Sequence, residues 1–299
     1  MAITGSVAAP HPGRPLRLLV TNDDGPPGHE SPFISEFIRT LASSPHYQVV
    51  CLPSCQKSWI SKAHVITETL QVSLYDPVQG LTKEFTEKHI EDATMDPKHW
   101  YYVSGTPAAC VNIALHHLHT KVPFDAVISG PNVGMNSGTT YSLSSGTIGA
   151  ALEASLNGLP AIAISYGYTN SSDVRAENLV TLAHIKAMRV IDHLLHGEVW
   201  SEGTLYNVNI PLVETTELCM HQTTFHPSSS ARLYAHQGQG KFHWQADWEA
   251  LMHRQDVKET TDVAVTKRGD VSITVLRPSY EVARDVTLNL PSTENLMKE

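Results

Sequence analysis

The sequence predicts an α/β fold in which helices cover both faces of a mostly parallel sheet. Short apolar runs that end abruptly in polar loops alternate with segments whose apolar residues recur every three or four positions. Within the short runs the apolar residues are nearly continuous, as expected for strands that are buried on both faces. Strand–helix–strand repetition of this kind indicates parallel strands joined by crossover helices.

The first elements follow a short N-terminal segment. Residues 1–15 are small and rich in Pro and Gly, which predicts a flexible tail, and we expect residues 16–299 to form a single domain. Residues 16–21 form an apolar run that enters the polar sequence NDDG, which is typical of a strand followed by a loop. An amphipathic helix over 33–41 and a second strand over 48–53 come next.

The same alternation continues through the middle of the chain. The spacing of apolar residues predicts helices over 108–119, 147–157 and 177–196, with strands over 125–129 and 161–165. Each predicted strand is therefore followed by a helix, as a parallel sheet requires.

Two regions depart from this alternation. Residues 75–99 are rich in charge and weakly periodic, which indicates a surface insertion. From about residue 205 to 276, strand-like pieces at 205–211 and 271–276 lie among loops rich in histidine and aromatic residues. We expect this last part to be a C-terminal extension that serves as an oligomerisation arm.

Composition favours a compact globular protein and argues against several partners. Of the 299 residues, 41% are hydrophobic and 17% are charged, which is the balance of a packed domain. The formal net charge of −9 argues against a nucleic-acid polymer or an anionic membrane as partner. No run approaches the roughly 18 apolar residues of a membrane span. Few, irregularly spaced cysteines predict a cytoplasmic location and buried free thiols at Cys51, Cys55, Cys110 and Cys219.

Two adjacent carboxylates follow the first predicted strand. Asp23 and Asp24 stand at its carboxyl end, where open α/β sheets place their ligand sites. The two carboxylates repel each other unless a cation lies near them, and hard oxygen ligands favour Mg²⁺ or Mn²⁺ over zinc. Asp-Asp-Gly is also a common turn, in which Gly25 supplies a positive φ. These residues alone leave both interpretations open.

Other predicted strands end in polar loops that strengthen the metal hypothesis. Ser58 follows the second strand, and Asn132 follows the strand over 125–129. Because neighbouring parallel strands bring their carboxyl ends together, both side chains are expected to reach the same ion as the aspartates. Waters would complete the shell and leave room for a substrate phosphate.

The segment 129–150 (SGPNVGMNSGTTYSLSSGTIGA) predicts a phosphate-binding site. Its small residues, amides and hydroxyls lead directly into a predicted helix. A helix N-terminus presents unpaired N–H groups and the positive end of the helix dipole. We therefore expect Ser145, Gly146 and Thr147 to cap this helix and bind the phosphate. An ordinary Ser/Thr cap is the alternative.

A weaker signal of the same kind precedes the helix over 108–119, where Ser104, Gly105 and Thr106 form either a further substrate contact or a plain turn.

Standard nucleotide and hydrolase motifs are missing: the chain has no G-x-G-x-x-G after the first strand, no G-x-x-x-x-G-K-[ST] and no G-x-S-x-G. The nearby histidines lack zinc-ligand spacing and are expected at the surface or at a helix end: His116, His117 and His119.

Seven motifs lie between residues 16 and 276: LLVTNDDG (18–25), PSCQKS (53–58), VSGTPAACV (103–111), VISGPNVGMNSG (127–138), LSSGTIGAALEASLNGLPAIAIS (143–165), YNVNIP (206–211) and TDVAVTKRGDVSIT (261–274). Together they resemble the SurE-like family of 5′/3′-nucleotidases and phosphatases. They occur in the order of that family and form a highly specific set.

This resemblance implies a SurE-type Rossmann-like three-layer core, a C-terminal exchange arm, and a homodimer or homotetramer. It implies a metal ion held by Asp23, Asp24, Ser58 and Asn132. It also implies that the substrate phosphate is surrounded by Asn136, Ser145, Gly146 and Thr147.

Two loops depart from the bacterial pattern of that family. The loop PPGHESP (26–32) looks like the fungal branch, some of whose members are called acid phosphatases. The stretch WISKAH (59–64) replaces a glycine-rich stretch. Both departures leave the implied metal ligands in place and concern the substrate preference.

These residues predict a phosphomonoesterase that hydrolyses nucleoside monophosphates or related small phosphate esters with a metal-activated water. Asp23 or Asp24 would orient or deprotonate that water, and Lys57 and His64 are candidates to assist. One alternative is a haloacid-dehalogenase-like phosphatase with Asp23 as nucleophile, although that class has D-x-D after the strand. The others are a non-catalytic nucleotide or metal sensor and a phosphatase dedicated to a non-nucleotide metabolite.

Overall fold

The computed structural model describes residues 14–86, 99–118, 123–168, 170–196, 200–228, 232–245 and 257–281. Its strands are β1 Arg17–Thr21, β2 Tyr47–Pro53, β3 Val72–Asp76, β4 Leu81–Glu84, β5 Trp100–Val103, β6 Ala126–Val133, β7 Ala161–Gly167, β8 Leu205–Pro211, β9 Met220–Thr223, β10 Tyr234–His236, β11 Phe242–Trp244 and β12 Val271–Leu276. Its α-helices are α1 Ile34–Ala42, α2 Pro107–Ile113, α3 Gly138–Ser144, α4 Gly146–Leu156, α5 Glu177–His196 and α6 Asp262–Lys267.

Ten of these strands form one mixed sheet in the order β4-β3-β5-β2-β1-β6-β7-β8-β12-β9, while β10 and β11 pair separately. The central strands from β5 to β8 run parallel to one another. Strands β3 and β12 flank this group and pair with it in the antiparallel direction, and β4 and β9 lie at the two edges of the sheet. The predicted α/β fold with a mostly parallel sheet is confirmed.

Side chains of β1 pack alternately on the two faces of the sheet, because successive residues of a strand point in opposite directions. Leu18 and Val20 join the apolar cluster that contains Phe37 of α1. Leu19 joins a second cluster that contains Ala151 of α4. Helices therefore cover both faces and make the fold three-layered, as predicted.

Several predicted elements match the structure closely. The bounds of α5, β8 and β12 coincide with the predicted ranges, and α4 is displaced by a single residue. The helix expected over 108–119 is shorter: α2 is followed by a π-helical turn at Ala114–Leu118, and His119 lies outside the described residues. His116 and His117 are exposed, as expected.

The glycine-rich segment after residue 129 contains more regular structure than expected. Strand β6 continues to Val133 after a bulge, because Asn132 pairs with Ser165 and Val133 with Tyr166 of β7. The following residues form α3, which apolar periodicity could not reveal because its sequence is mostly Ser, Thr and Gly. The strand predicted to end at residue 129 is therefore longer than expected, and a helix that was not predicted precedes α4.

The region predicted as a surface insertion contributes to one edge of the sheet. Strands β3 and β4 form an antiparallel hairpin, and β3 pairs with β5. All residues of β4 are exposed. Residues 87–98 lie outside the described part of the chain.

All four cysteines are free. Cys51 and Cys110 are buried as expected, whereas Cys55 and Cys219 are exposed. No helix in the described part of the chain combines the length and apolar character needed to cross a membrane.

Gly130 permits the bulge of β6 to lie against β7, and from this close approach we predict that a larger residue is destabilising. The residue has a φ of +120°, and a Cβ atom there would lie 2.2 Å from the Ile164 carbonyl oxygen. Gly130→Ala should lower the free energy of unfolding by more than about 3 kcal/mol, from backbone strain and overpacking together. Urea unfolding of the purified variant measures the loss.

Gly158→Ala is the matched control, because Gly158 has a φ of +78° and a Cβ atom there meets no heavy atom of the described chain within 4 Å. Its expected cost is about 1–2 kcal/mol from the backbone alone. Equal losses in the two variants would contradict the steric account.

Candidate active site

A cavity of about 500 Å³ lies where the carboxyl ends of β1 and β6 meet α4. This position is the one expected for a ligand site in an open α/β sheet. Its lining includes five residues that the sequence singled out: Asp23, Ser58, Asn132, Asn136 and Ser145. The tertiary structure thus brings together residues from three separate segments of the chain.

Asp23 is almost completely buried, with 2% of its surface exposed. Burial raises the pKa of its carboxyl group to about 6, although the Thr147 hydroxyl and nearby backbone N–H groups act in the opposite direction. Thr147 Oγ1 donates a hydrogen bond of 2.6 Å to Asp23 Oδ1. The side chain is therefore held in one orientation by α4.

Asp24 is also buried, with 4% of its surface exposed. Burial, followed by the charge of Asp23, raises the pKa of Asp24 well above its usual range. The Val133 N–H donates to Asp24 Oδ2 over 2.9 Å, and the Ser58 side chain is a further hydrogen-bond partner. The last residue of β6, which follows the bulge, thus supplies a donor to this carboxylate.

This donor set fits a hard divalent cation. Two buried carboxylates side by side are unfavourable as anions unless a positive charge compensates them. Asn132 is 7% exposed, and its Nδ2 donates to the Gly134 carbonyl oxygen over 2.7 Å. That bond uses the donor end of the amide, so Oδ1 is the atom available as a ligand. Carboxylate, hydroxyl and amide oxygens suit Mg²⁺ or Mn²⁺.

The first turn of α4 contacts Asp23 more closely than the sequence indicated. Ser145 is the N-cap, since its side chain accepts a bond of 3.1 Å from the Ile148 N–H. Thr147 is not a cap, because its hydroxyl is bonded to Asp23. A Cβ atom on Gly146 would lie 2.8 Å from Asp23 Cβ. Glycine therefore allows the helix to approach the aspartate, a reason that the sequence did not show.

Asn136 lies at the centre of a buried network of amides. Its Nδ2 donates to Ser165 Oγ over 2.9 Å, and its N–H donates to Asn209 Oδ1 over 2.8 Å. Its carbonyl oxygen accepts a bond of 2.9 Å from Asn207 Nδ2. Asn207 and Asn209 were missed as supporting residues. Two asparagines two positions apart in a predicted strand face the same side, and this was the available signal.

Asp262 at the start of α6 is a second supporting residue that the sequence did not identify. Its Oδ2 accepts from the Gly138 N–H over 2.6 Å, and its Oδ1 accepts from the His226 N–H over 2.9 Å. It therefore ties the loop that carries Asn136 to the C-terminal part of the chain. Thr-Asp at the start of a short helix indicated only a local cap.

Three predicted substrate residues do not line this cavity. Ser104 Oγ accepts from the Gln71 N–H over 2.8 Å. Thr106 caps α2 through the Ala109 N–H and donates to the Ala63 carbonyl oxygen. A Cβ atom on Gly105 would lie 2.9 Å from Leu70. The structure gives Ser104, Gly105 and Thr106 roles in holding neighbouring loops.

The two candidate assisting residues also have other contacts. The Lys57 N–H donates to the Asp23 carbonyl oxygen over 2.6 Å. His64 Nε2 lies 3.2 Å from Glu153 Oε2 of α4, and neither of these residues lines the cavity. Neither contact points to proton transfer at the cavity.

A second group of potential ligands lies near the amino end of β2. One side-chain donor atom from each of His46, Asp192 and His196 lies within 4.8 Å of the others. The Leu16 N–H donates to His46 Nδ1, so a neutral His46 carries its proton on Nε2, which faces Asp192 Oδ1 at 3.3 Å. That tautomer makes a His–Asp hydrogen bond and leaves His46 without a lone pair for a metal.

Comparison with known proteins identifies the same family by profile and by individual relatives. The family profile described as Survival protein SurE matches residues 18–232. The 5′-nucleotidase SurE of Methanopyrus kandleri is 31% identical over 292 residues, which cover 95% of this chain and 97% of that protein. The 5′-nucleotidase SurE of Carboxydothermus hydrogenoformans is 35% identical over 204 residues, or 68% of this chain and 67% of that protein.

A yeast protein shares only a domain with this chain. Probable tubulin–tyrosine ligase PBY1 of Saccharomyces cerevisiae is 38% identical over 222 residues, which cover 67% of this chain and 29% of that protein. Since most of that protein lies outside the match, its name carries no information about the activity of this chain.

The architecture agrees with the sequence comparisons. The crystal structure of the SurE protein from Aquifex aeolicus superposes with a TM-score of 0.64 at 23% identity, covering 94% of this chain and 97% of that one. This similarity establishes a shared fold. With the family profile matched over more than half of its length, the chain belongs to the SurE family.

Proposed function

We propose that this chain is a divalent-metal-dependent phosphomonoesterase that hydrolyses nucleoside monophosphates or related small phosphate esters. The observation that carries the proposal is the buried pair Asp23 and Asp24 beside Ser58 and Asn132, at a cavity next to a helix N-terminus. The relatives named 5′-nucleotidase SurE support it. The same proposal includes Mg²⁺ or Mn²⁺ as the ion, a cytoplasmic location, and a homodimer or homotetramer.

Four side chains would hold the ion: Asp23, Asp24, Ser58 and Asn132. A bound divalent ion supplies Lewis-acid polarisation of a phosphoryl oxygen and lowers the pKa of a coordinated water. Asp23 lines the cavity and Asp24 is the next residue, and each carboxylate is held by a hydrogen bond from a different element. One of the two accepts the proton of the attacking water.

The N-terminal turn of α4 and Asn136 would surround the phosphate. Ser145 and Asn136 line the cavity directly, whereas Gly146 and Thr147 adjoin it through their contacts with Asp23. The positive end of the α4 dipole stabilises negative charge on both Asp23 and the phosphate. Because the negative charge on the transferred group is stabilised by fixed dipoles, the site needs little reorganisation during hydrolysis.

Chelation tests the metal requirement. Exhaustive dialysis against EDTA should abolish release of phosphate from nucleoside monophosphates and from 4-nitrophenyl phosphate, and Mg²⁺ or Mn²⁺ should restore it, because all four proposed ligands are oxygen donors. The melting temperature of the substrate-free protein should rise when the ion is added, since it compensates two buried anions.

Full activity after dialysis would refute the metal assignment. Metal binding without turnover of any ester would instead favour the non-catalytic sensor.

Asp24→Asn tests the constraint that the buried pair imposes. We expect kcat to fall at least about a hundredfold, because a ligand and a water-orienting group are lost. In metal-free protein the same change should raise the melting temperature, because it removes one of two repelling buried charges and keeps an acceptor for the Val133 N–H. Steady-state kinetics and thermal unfolding after EDTA treatment measure the two effects.

The control is Glu36→Gln, which alters a carboxylate on α1 whose side chain is 45% exposed. This change should have little effect on kcat or on the melting temperature of the metal-free protein. A metal-free Asp24→Asn protein that is less stable than the parent would show that the two carboxylates do not oppose folding.

Gly146→Ala distinguishes contact with Asp23 from simple access for phosphate. A Cβ atom there would lie 2.8 Å from Asp23 Cβ and 2.9 Å from the Lys57 carbonyl oxygen. The variant should therefore bind Mn²⁺ at least about tenfold more weakly, in addition to losing turnover, since displacement of a ligand weakens the ion's shell. Calorimetry with Mn²⁺ and steady-state kinetics provide the measurements.

The matched control is Gly28→Ala, because the nearest atom to a Cβ there, the Pro26 carbonyl oxygen, is 3.9 Å away. If the Gly146→Ala protein is folded and inactive but binds Mn²⁺ with unchanged affinity, the contact with Asp23 does not matter for the ion. The role of Gly146 would then be to let the phosphate approach the helix, as the sequence indicated.

A further inference from the structure

We propose that Trp59 is a specificity-determining residue whose indole ring, supported by Tyr141, forms a stacking wall for a flat ring in the leaving group of the substrate. The proposal rests on the proposed function and adds to it a preference for esters that carry a nucleobase over esters without a ring. Trp59 belongs to the stretch 59–64 that the sequence marks as a departure from the bacterial pattern.

The cavity is lined by two chemically different kinds of residue. Asp23, Asn132 and Ser145 are polar. Trp59, Tyr141, Met135 and Tyr168 contribute to the rest of the lining, and most of their surface is aromatic or apolar. Trp59 directly follows Ser58, which is a proposed metal ligand. A substrate with its phosphate at the metal would therefore place its leaving group near this wall.

The position of Trp59 is imposed by its loop. Trp59 and Ser61 have φ values of +62° and +56°, a left-handed conformation that is unfavourable for residues with a Cβ atom. Ser61 is held by two bonds to the end of α3: its N–H donates to the Ser144 carbonyl oxygen over 2.9 Å and its hydroxyl to the Leu143 carbonyl oxygen over 2.6 Å. Strained conformations of this kind persist where surrounding contacts hold them, frequently at functional sites.

An ion pair with α4 anchors the other end of the loop. Glu153 Oε2 lies 2.8 Å from Lys62 Nζ and 3.2 Å from His64 Nε2, and Asn112 Nδ2 donates to Glu153 Oε1 over 2.8 Å. Burial acts to raise the pKa of Glu153, but these three partners outweigh it and lower the pKa to about 2. Because α4 also begins at the proposed phosphate site, the aromatic wall and that site are connected through one rigid helix.

Ring contacts complete the support of the indole. The centroid of the Trp59 ring lies 5.7 Å from that of Tyr141 at an interplanar angle of 66°, and 5.6 Å from that of Trp244. Edge-to-face contacts at these distances are favourable between aromatic rings. Every base has a π-face, so a fixed aromatic side chain can bind purines and pyrimidines by stacking without reading their hydrogen-bonding edges.

The test compares hydrolysis of an ester that carries a nucleobase with hydrolysis of an ester that has no ring. Both are measured with the whole chain in the presence of Mg²⁺. In Trp59→Gly, kcat/KM for adenosine 5′-monophosphate should fall roughly 10- to 100-fold more than kcat/KM for glycerol 3-phosphate, as expected for the loss of one stacking contact. Most of the fall should appear in KM. Trp59→Phe, which keeps a ring, should retain most of the preference.

Gln239→Gly is the matched control for relief of backbone strain, because Gln239 also has a positive φ, +51°, and does not line the cavity. It should leave the ratio of the two kcat/KM values unchanged. Equal losses for both esters in Trp59→Gly would overturn the proposal, because they would show that the residue only supports Ser58.

Binding of adenosine, measured by calorimetry, separates this inference from the proposed function. The Kd of adenosine should be roughly tenfold or more higher in Trp59→Gly than in the parent protein, whether or not either ester is hydrolysed. If neither ester is hydrolysed but this difference is found, the phosphatase proposal fails and the stacking wall stands. Equal adenosine affinity in the two proteins refutes the stacking wall.

Discussion

The burial of two adjacent carboxylates at the end of β1 is the constraint on which the site depends. Asp23 and Asp24 have raised pKa values because they are removed from water, and Asp24 is raised further by its neighbour. Such a pair opposes folding unless donors and a cation compensate it. Donors come from Thr147 of α4 and from Val133 at the end of β6, so two distant elements meet at this pair.

The C-terminal part of the chain supports the site through hydrogen bonds to the loop that carries Asn136. Asn207 and Asn209 on β8 bond the backbone of Asn136, and Asp262 bonds the N–H of Gly138. The motifs YNVNIP and TDVAVTKRGDVSIT thus act at the site through the loop between β6 and α3. Supporting residues of this kind hold the contacting residues in position, and their loss is expected to affect function without removing any contact to substrate.

In the two proposals, metal binding and substrate selection belong to neighbouring residues of one loop. Ser58 is the proposed metal ligand and Trp59 the proposed stacking residue, and both line the cavity. The ion pair at Glu153 joins this loop to α4, so the loop is positioned by the same helix that holds Asp23. A family can change its substrates in this way without disturbing its metal ligands.

Local patterns in the sequence determined the fold class, the bounds of α5, β8 and β12, and the position of Asp23 and Asp24 just after β1. These features depend on residues close together in the chain, since apolar periodicity and the polar ends of strands are local properties. Only the tertiary structure decided that β6 continues past Gly130, that Thr147 bonds Asp23, and that Gly146 allows α4 to approach Asp23. Asp23 and Thr147 are 124 positions apart, and no local pattern records which distant side chain will compensate a buried charge.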